Sequence, residues 1–366
     1  MIVGTRPEAI KLAPLIEALR AAPHLALTVI NTGQHGEAVT RILEGFGVTC
    51  DIELPALGAT PNLRHAVRKL RASIGASLQR IRPHAAIVQG DTSSAYAGAR
   101  AAHDLRIPVA HVEAGLRTDD IADPFPEEWF RRRIAPHARW HFAPCTSAVA
   151  NLIAEGVPPD RVYAVGNTGI DALRELLVRE DIRIGGNIMP MIVVTLHRRE
   201  NWDDNAVRLC DALAALADHL SGMRVVLPVH PNPRIAQRIR RKLGAHPAFD
   251  LVPPMAYPQF IRLVAQAALV ISDSGGIQEE APHLGTPLLV PRANTERPEC
   301  LATGLVQLVP IHAGSLFDAA TRVLSRARLP AVPFDQHAPF GVGDASRRIV
   351  DVLEATLAPA AIHAFH

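Results

Sequence analysis

The sequence predicts an α/β protein with mostly parallel sheets in two domains. Short β-prone runs alternate along the whole chain with segments whose apolar residues recur every three or four positions, the pattern of βαβ units. The length, 366 residues, is long for one hydrophobic core and comfortable for two. The unusual polar residues stand directly after the β-prone runs, at the strand ends where parallel sheets bind ligands.

The chain opens on GTRPEAIK (Gly4–Lys11). Thr5 with Glu8 three residues on reads as a capping box, and Pro7 suits a first helical turn. Ala9, Leu12, Ala13, Ile16 and Leu19 then share one helix face. Arg6 sits at the helix N-terminus, where unpaired N–H groups favour an anion, and Lys11 is expected on the exposed side. The strand run Thr28–Asn31 delivers Gly33, Gln34 and His35; Ala85–Gln89 delivers Asp91; Pro108–Val112 delivers Glu113. FPEEWFRRR (Phe125–Arg133) adds Glu127 and Glu128, the latter expected to be solvated. After Val162–Val165, the stretch Gly166–Pro190 has helical character, then Gly185-Gly186 and Pro190, so the domain change falls at its start or within it. In the second half Ile192–Leu196 delivers His197, Arg224–Val229 delivers His230, and Ala268–Ile271 delivers Ser272–Gly276. Phe249–Val252 and Pro287–Val290 complete the strands, and Leu209, Leu213, Leu216 and Leu220 mark a helix. Two such sheets facing each other would gather these tips around one cleft.

The tips divide by chemistry. SDSGG (Ser272–Gly276) before a short helix is an anion-binding turn: Gly275 and Gly276 let backbone approach a ligand, and Ser274 adds a hydroxyl. Glu279 and Glu280 are adjacent and cannot share a helix face; one is expected to accept from a ribose diol. His197, beside two arginines in HRREN, suits anion handling. In the first half Asp91, Glu113 and Glu127 supply several carboxylates, as removal and return of a proton require: one ionised to take it, one neutral to give it back. The spacing of His197 and His230 does not resemble a metal site. Neither a P-loop nor GxGxxG is present, which disfavours ATPases and nicotinamide dehydrogenases.

The bulk numbers narrow the class. A net charge of +2 demands neither nucleic acid nor an anionic membrane. Four cysteines without a CxxC pair suggest no disulfide framework. No signal peptide or membrane-spanning run is evident, so a reducing, cytoplasmic location is expected.

GTRPEAIK, GQH, GDT, HVEAGLRT, PEE, VGNTGIDAL, HRREN, PVHPNP, SDSGGIQEEAP and TERPE, in that order from Gly4 to about Arg348, together resemble the non-hydrolysing UDP-N-acetylglucosamine 2-epimerase family. The resemblance implies a GT-B architecture, two Rossmann-like domains with a nucleotide sugar between them. Residues 1–166 would form the first, joined by a C-terminal helix at about 345–366, and 167–344 the second. It implies reversible conversion of UDP-GlcNAc to UDP-ManNAc by elimination of UDP to 2-acetamidoglucal and re-addition, with no cofactor or metal, in a homodimer. Asp91, Glu113 and Glu127 would manage the C2 proton and sugar, with Arg131 nearby and His197 helping the departing phosphate; which acid is the base stays open. Arg6, Lys11, His197, Ser274, Gly275, Gly276, Glu280 and Arg297 would hold UDP, Glu280 at the ribose and Phe260 by the uracil. A second UDP-GlcNAc, as activator, would meet Gln34, His35, Arg68, Arg198 and His230. Three departures stand out. Glu37 replaces a common glutamine in the activator pocket. Phe130 replaces a common asparagine after PEE, beside the sugar site, which leaves open a relative acting on another UDP-2-acetamido sugar, such as a 2,3-diacetamido uronate; a UDP-sugar-dependent GT-B glycosyltransferase would share the fold and the UDP grip. Only three residues precede Gly4, leaving the first strand short and the natural start open.

Overall fold

The computed structural model describes all residues except 59, 61, 119, 122–123, 185–188, 197–203, 221, 230–231, 311–312, 336–337 and 358–366. The chain forms two compact units, Met1–Arg174 together with the C-terminal stretch from Asp335, and Glu175–Phe334.

In the first unit β1 (Ile2–Val3), β2 (Ile30–Asn31) and β3 (Ile52–Glu53) make a parallel sheet in that order. β4 (Ala86–Gln89), β5 (Val109–Val112), β6 (Ala138–Ala143) and β7 (Val162–Ala164) make a second, also parallel. β1 lies beside β4. The spatial order is therefore 3-2-1-4-5-6-7, and the direction of winding reverses between β1 and β4. Its helices are α1 (Arg6–Ala21), α2 (Glu37–Gly45), α3 (Leu63–Ile81), α4 (Ser93–Asp104), α5 (Glu127–Ile134) and α6 (Thr146–Ala154). The strands are covered on both faces, so β4 and β5 are buried throughout rather than alternating. α4 packs closely on α3 because its inner surface is alanine: Ala95, Ala97, Ala99, Ala101 and Ala102 are all buried. Ile2, Ile30, Leu70, Ile74, Leu78, Val88 and Val109 fill the space between.

α7 (Thr168–Arg179) carries the chain into the second unit. There β8 (Met189–Thr195), β9 (Arg224–Pro228), β10 (Phe249–Val252), β11 (Ala267–Ser272), β12 (Leu288–Val290) and β13 (Val306–Leu308) form one parallel sheet, ordered 10-9-8-11-12-13. The winding reverses between β8 and β11. The helices are α8 (Asp204–His219), α9 (Pro233–Leu243), α10 (Tyr257–Gln266), α11 (Gly275–His283), α12 (Pro298–Leu301) and α13 (Ala313–Leu324). The final helix, α14 (Ala345–Leu357), returns to the first unit and packs on α1. The buried Asp171 carboxylate caps it, accepting from the N–H groups of Ala345 (3.2 Å) and Ser346 (2.7 Å). No helix among the described residues is long and apolar enough to cross a membrane.

Candidate active site

Open α/β sheets bind ligands at the strand ends where winding reverses, because the connections there diverge and leave a crevice. Both reversals in this chain fall at polar tips that the sequence singles out.

At the first reversal, the loops after β1 and β4 are tied together by Glu8. Its buried carboxylate accepts from the N–H groups of Gly4 (3.0 Å) and Thr5 (2.6 Å) and from the Thr92 hydroxyl (2.8 Å). Burial pushes its pKa up to about 7, against the lowering effect of those hydrogen bonds. Thr92 also caps α4 through the Ala95 N–H. Arg6 is exposed at the start of α1, as an anion grip requires. Asp91 lies in the same turn as Thr92 and is ion-paired with the buried Arg131 of α5.

Glu113 follows β5 directly and is buried. Its backbone is left-handed, with φ +63°. A β-carbon makes that conformation costly by about 1–3 kcal/mol, so something must hold it. Lys11 does, with its ammonium 2.8 and 2.9 Å from the two carboxylate oxygens, and so does the Gln89 side-chain amide. Lys11 was expected on the exposed side of its helix; it is buried instead, because the amine is the counter-charge that lets Glu113 sit away from water.

Glu127 stands in the first turn of α5, half-buried. Glu128 does not sit in solvent as expected. It is fully buried, accepting from the Arg132 Nε (2.8 Å), an Arg131 nitrogen (3.2 Å) and the Thr118 N–H (3.2 Å). Phe130 is buried against Tyr96, stacked with centroids 5.1 Å apart, and edge-on to Trp129 at 5.5 Å. On β5, His111 is buried and its Nε2 lies 2.8 Å from the Gly90 carbonyl, the link just before Asp91.

At the second reversal, α11 begins at Gly275 with Ser274 as its N-cap residue. The Ser272 hydroxyl bonds Thr195 of β8 (2.7 Å) and accepts from the Ser274 N–H (3.1 Å), fixing the turn between the two strand ends. Arg297 is buried beside it. A β-carbon on Gly275 would lie 2.7 Å from a guanidinium nitrogen, so only glycine leaves this space. Glu279 and Glu296 both accept from Arg297, and Glu296 also pairs with Arg292 at 2.9 Å. The adjacent acids thus point apart: Glu279 holds Arg297, and Glu280 accepts from the Tyr257 hydroxyl at 2.8 Å. Desolvation, then Glu280, raises the Tyr257 pKa well above its ordinary value. Phe260 lies one turn further along α10, half-buried. The backbone N–H groups at the start of α11, flanked by a guanidinium, make an anion-binding arrangement.

The residues expected at a second nucleotide site are only partly in view. The Gln34 side-chain oxygen accepts from the Ser94 N–H (3.0 Å) and hydroxyl (2.6 Å), and His35 Nδ1 accepts from the Arg6 N–H at 3.3 Å. Arg68 is exposed on α3, and Glu37 is spent on Arg41 at 2.8 Å on the surface of α2. His197, Arg198 and His230 lie outside the described residues.

Gln89, Glu296 and Tyr257 escaped sequence reasoning, and Glu128 was misplaced in solvent. For Glu128 a signal existed: Arg131 and Arg132 stand three and four residues on, the helical spacing for ion pairs. For Gln89 and Tyr257 there was none, since their partners are distant in the chain.

A family model described as UDP-N-acetylglucosamine 2-epimerase matches residues 17–354. The UDP-N-acetylglucosamine 2-epimerase of Escherichia coli strain K12 is 37% identical over 367 residues, covering 96% of this chain and 97% of that protein. The crystal structure of UDP-GlcNAc 2-epimerase from Neisseria meningitidis bound to UDP-GlcNAc is 34% identical, with a TM-score of 0.89 over 96% of this chain and 98% of that one. That of Methanocaldococcus jannaschii in complex with UDP-GlcNAc and UDP is 31% identical, with a TM-score of 0.86 over 96% and 98%. The fold is the GT-B fold of these structures. Matched by the family model over most of its length, and by relatives more than a third identical over nearly all of it, the chain belongs to the UDP-N-acetylglucosamine 2-epimerase family.

Proposed function

We propose that this protein interconverts UDP-GlcNAc and UDP-ManNAc by eliminating UDP and adding it back. The observation that carries the reading is Glu113, held in a left-handed backbone and clamped by Lys11 and Gln89 at the end of β5, with Asp91 at the end of the neighbouring strand. Two carboxylates at adjacent strand ends suit a reaction in which a proton leaves one face of a carbon and returns to the other.

In the forward direction a carboxylate takes the proton from C2 of the sugar. The C2–H electron pair becomes the C1=C2 double bond of 2-acetamidoglucal, and the C1–O bond to the β-phosphate breaks, so UDP departs with that electron pair. A phosphate oxygen of UDP then re-forms the bond to C1, and an acid protonates C2 on the opposite face. Asp91, Glu113 and Glu127 are the acids of this cycle, with Arg131 orienting Asp91. The charge that grows on the departing phosphate is met by Ser274, Gly275, Gly276 and Arg297, with Arg6 and His197. Glu280 takes the ribose and Phe260 the uracil. Phe130, packed in an aromatic cluster, gives no ground for choosing a different sugar. We further propose a homodimer, and a second UDP-GlcNAc as activator at Gln34, His35, Arg68, Arg198 and His230. Supporting the dimer requires twice the chain mass by light scattering. Supporting the activator requires that trace UDP-GlcNAc speed the reverse reaction.

Glu113→Gln tests the assignment. It removes one charge with little change of shape, so turnover should fall at least ~1,000-fold while UDP affinity stays within a few-fold. Loss of UDP binding in parallel with turnover would place Glu113 in the nucleotide site and remove its role in proton transfer.

A further inference from the structure

Glu128 is an unusual acid for a helix so rich in charge. It stands one residue from Glu127 yet has no exposed surface. Both of its oxygens are engaged. One meets Arg131 at 3.2 Å and the Thr118 N–H at 3.2 Å; the other meets Arg132 Nε at 2.8 Å. Nothing remains of it for a substrate to touch.

Its position matters because of what Arg131 does with its other nitrogen. One terminal nitrogen of the guanidinium is on Glu128 and the other is on Asp91. A guanidinium is planar and presents its N–H groups in a fixed fork, so holding one end sets the direction of the other. Glu128 is in turn held from behind. Arg132 reaches on to Glu155 at 3.4 Å, and Arg117 grips Glu155 with two nitrogens at 2.8 and 2.7 Å. Asp91, Arg131, Glu128, Arg132, Glu155 and Arg117 therefore alternate in sign from the end of β4, through α5 and the end of α6, to the loop after β5.

We propose that Glu128 is a positioning residue of the epimerisation: by gripping one end of Arg131 it aims the other at Asp91, and so fixes how Asp91 meets the sugar. The proposal rests on the reading of Asp91 as an acid that handles the sugar's proton. A structural role alone, tying α5 to the Thr118 loop, would account for the burial but not for the shared arginine.

The two roles differ in what they change. Kinetics of the full chain with UDP-GlcNAc, UDP titration by calorimetry and thermal midpoints separate them. In folded Glu128→Gln, kcat should fall ~30-fold or more, with KM and the Kd for UDP within about threefold, because aim is lost and binding is not. Glu128→Asp keeps the charge and should restore kcat to within about tenfold of the parent. Combining Glu128→Gln with Arg131→Lys should cost no more than about twofold beyond Arg131→Lys alone, since both act through one guanidinium. If Glu128→Gln does not fold, Glu128→Asp carries the test. Its kcat should drop about fivefold at unchanged KM, and that drop should vanish in the Arg131→Lys background. A folded Glu128→Gln with parental kcat overturns the proposal. So do losses that multiply with Arg131→Lys, and so does a fall confined to KM. Asp91→Asn at parental turnover would instead sink the reading of Asp91 beneath it, whereas an inactive Asp91→Asn with an indifferent Glu128→Gln sinks this proposal alone.

Discussion

Three buried ionisable side chains of the first unit make its stability depend on pH in opposing ways. Burial pushes His111 from 6.5 down to about 3 and His141 from 6.5 down to about 4. Each is held neutral in the folded chain and takes up a proton when unfolded, so stability falls as pH drops below 6.5 toward the folded value. Glu8, raised by burial from 4.5 to about 7, does the reverse: it binds its proton more tightly when folded, and its contribution is full below 4.5 and fades as pH rises through 7. Linkage gives each histidine a loss of about 2 kcal/mol between pH 7 and 5, and Glu8 a gain of about 2 kcal/mol. Glu8→Gln keeps the acceptor for Gly4 and Thr5 but cannot titrate. Urea unfolding at the two pH values should show it losing about 2 kcal/mol more than the parent chain. Equal losses would mean that Glu8 titrates as an ordinary surface carboxylate. At this scale the sequence tells only part of the story. Asp91 and Glu113 were legible because they end apolar runs. The burial of Lys11 and Glu128 was not, because a helical pattern of charges reads the same whether its counter-charges come from water or from a strand end far along the chain.

Among the elements, the turn before α11 combines the clearest sequence signal with a steric requirement that the sequence only hints at. Ser272–Gly276 reads as an anion turn because of its glycines, and the structure adds the reason for the first of them: Arg297 fills the space a β-carbon would need. Gly275→Ala should displace that guanidinium and weaken UDP binding about tenfold by calorimetry, with the thermal midpoint changed by a few degrees at most. Undiminished affinity would show that Arg297 does not serve the phosphates. The nine strands expected from the sequence all form, to within a residue or two at most ends. Four others carry no local signal, and of these only the first was expected, through the family resemblance. Ile2–Val3 and Ile52–Glu53 are two residues long, too short for any periodicity, and Val306–Leu308 is scarcely longer. Ala138–Ala143 interrupts its apolar run with Arg139 and His141, and only the tertiary structure reveals that His141 is buried.

At the scale of the whole chain, two doubly wound units each reverse their winding once, and each reversal carries one half of the proposed chemistry. The first brings carboxylates and their cationic partners to adjacent strand ends; the second brings backbone donors and Arg297 to a helix N-terminus. That division was legible because parallel strands deliver their functional groups at one end, so a list of strand tips is already a list of site residues. The returning helix was legible only through the family resemblance, since nothing local in Ala345–Leu357 announces that Asp171, so distant in sequence, caps it.

In the proposed cycle the C2 proton is removed and replaced during turnover. Proton NMR of UDP-GlcNAc incubated with the protein in D2O tests it most directly. A UDP-ManNAc signal should grow in, and both sugars should come to carry deuterium at C2. UDP-ManNAc that forms with its C2 proton retained, or a folded protein that leaves UDP-GlcNAc unchanged and unlabelled, would contradict it.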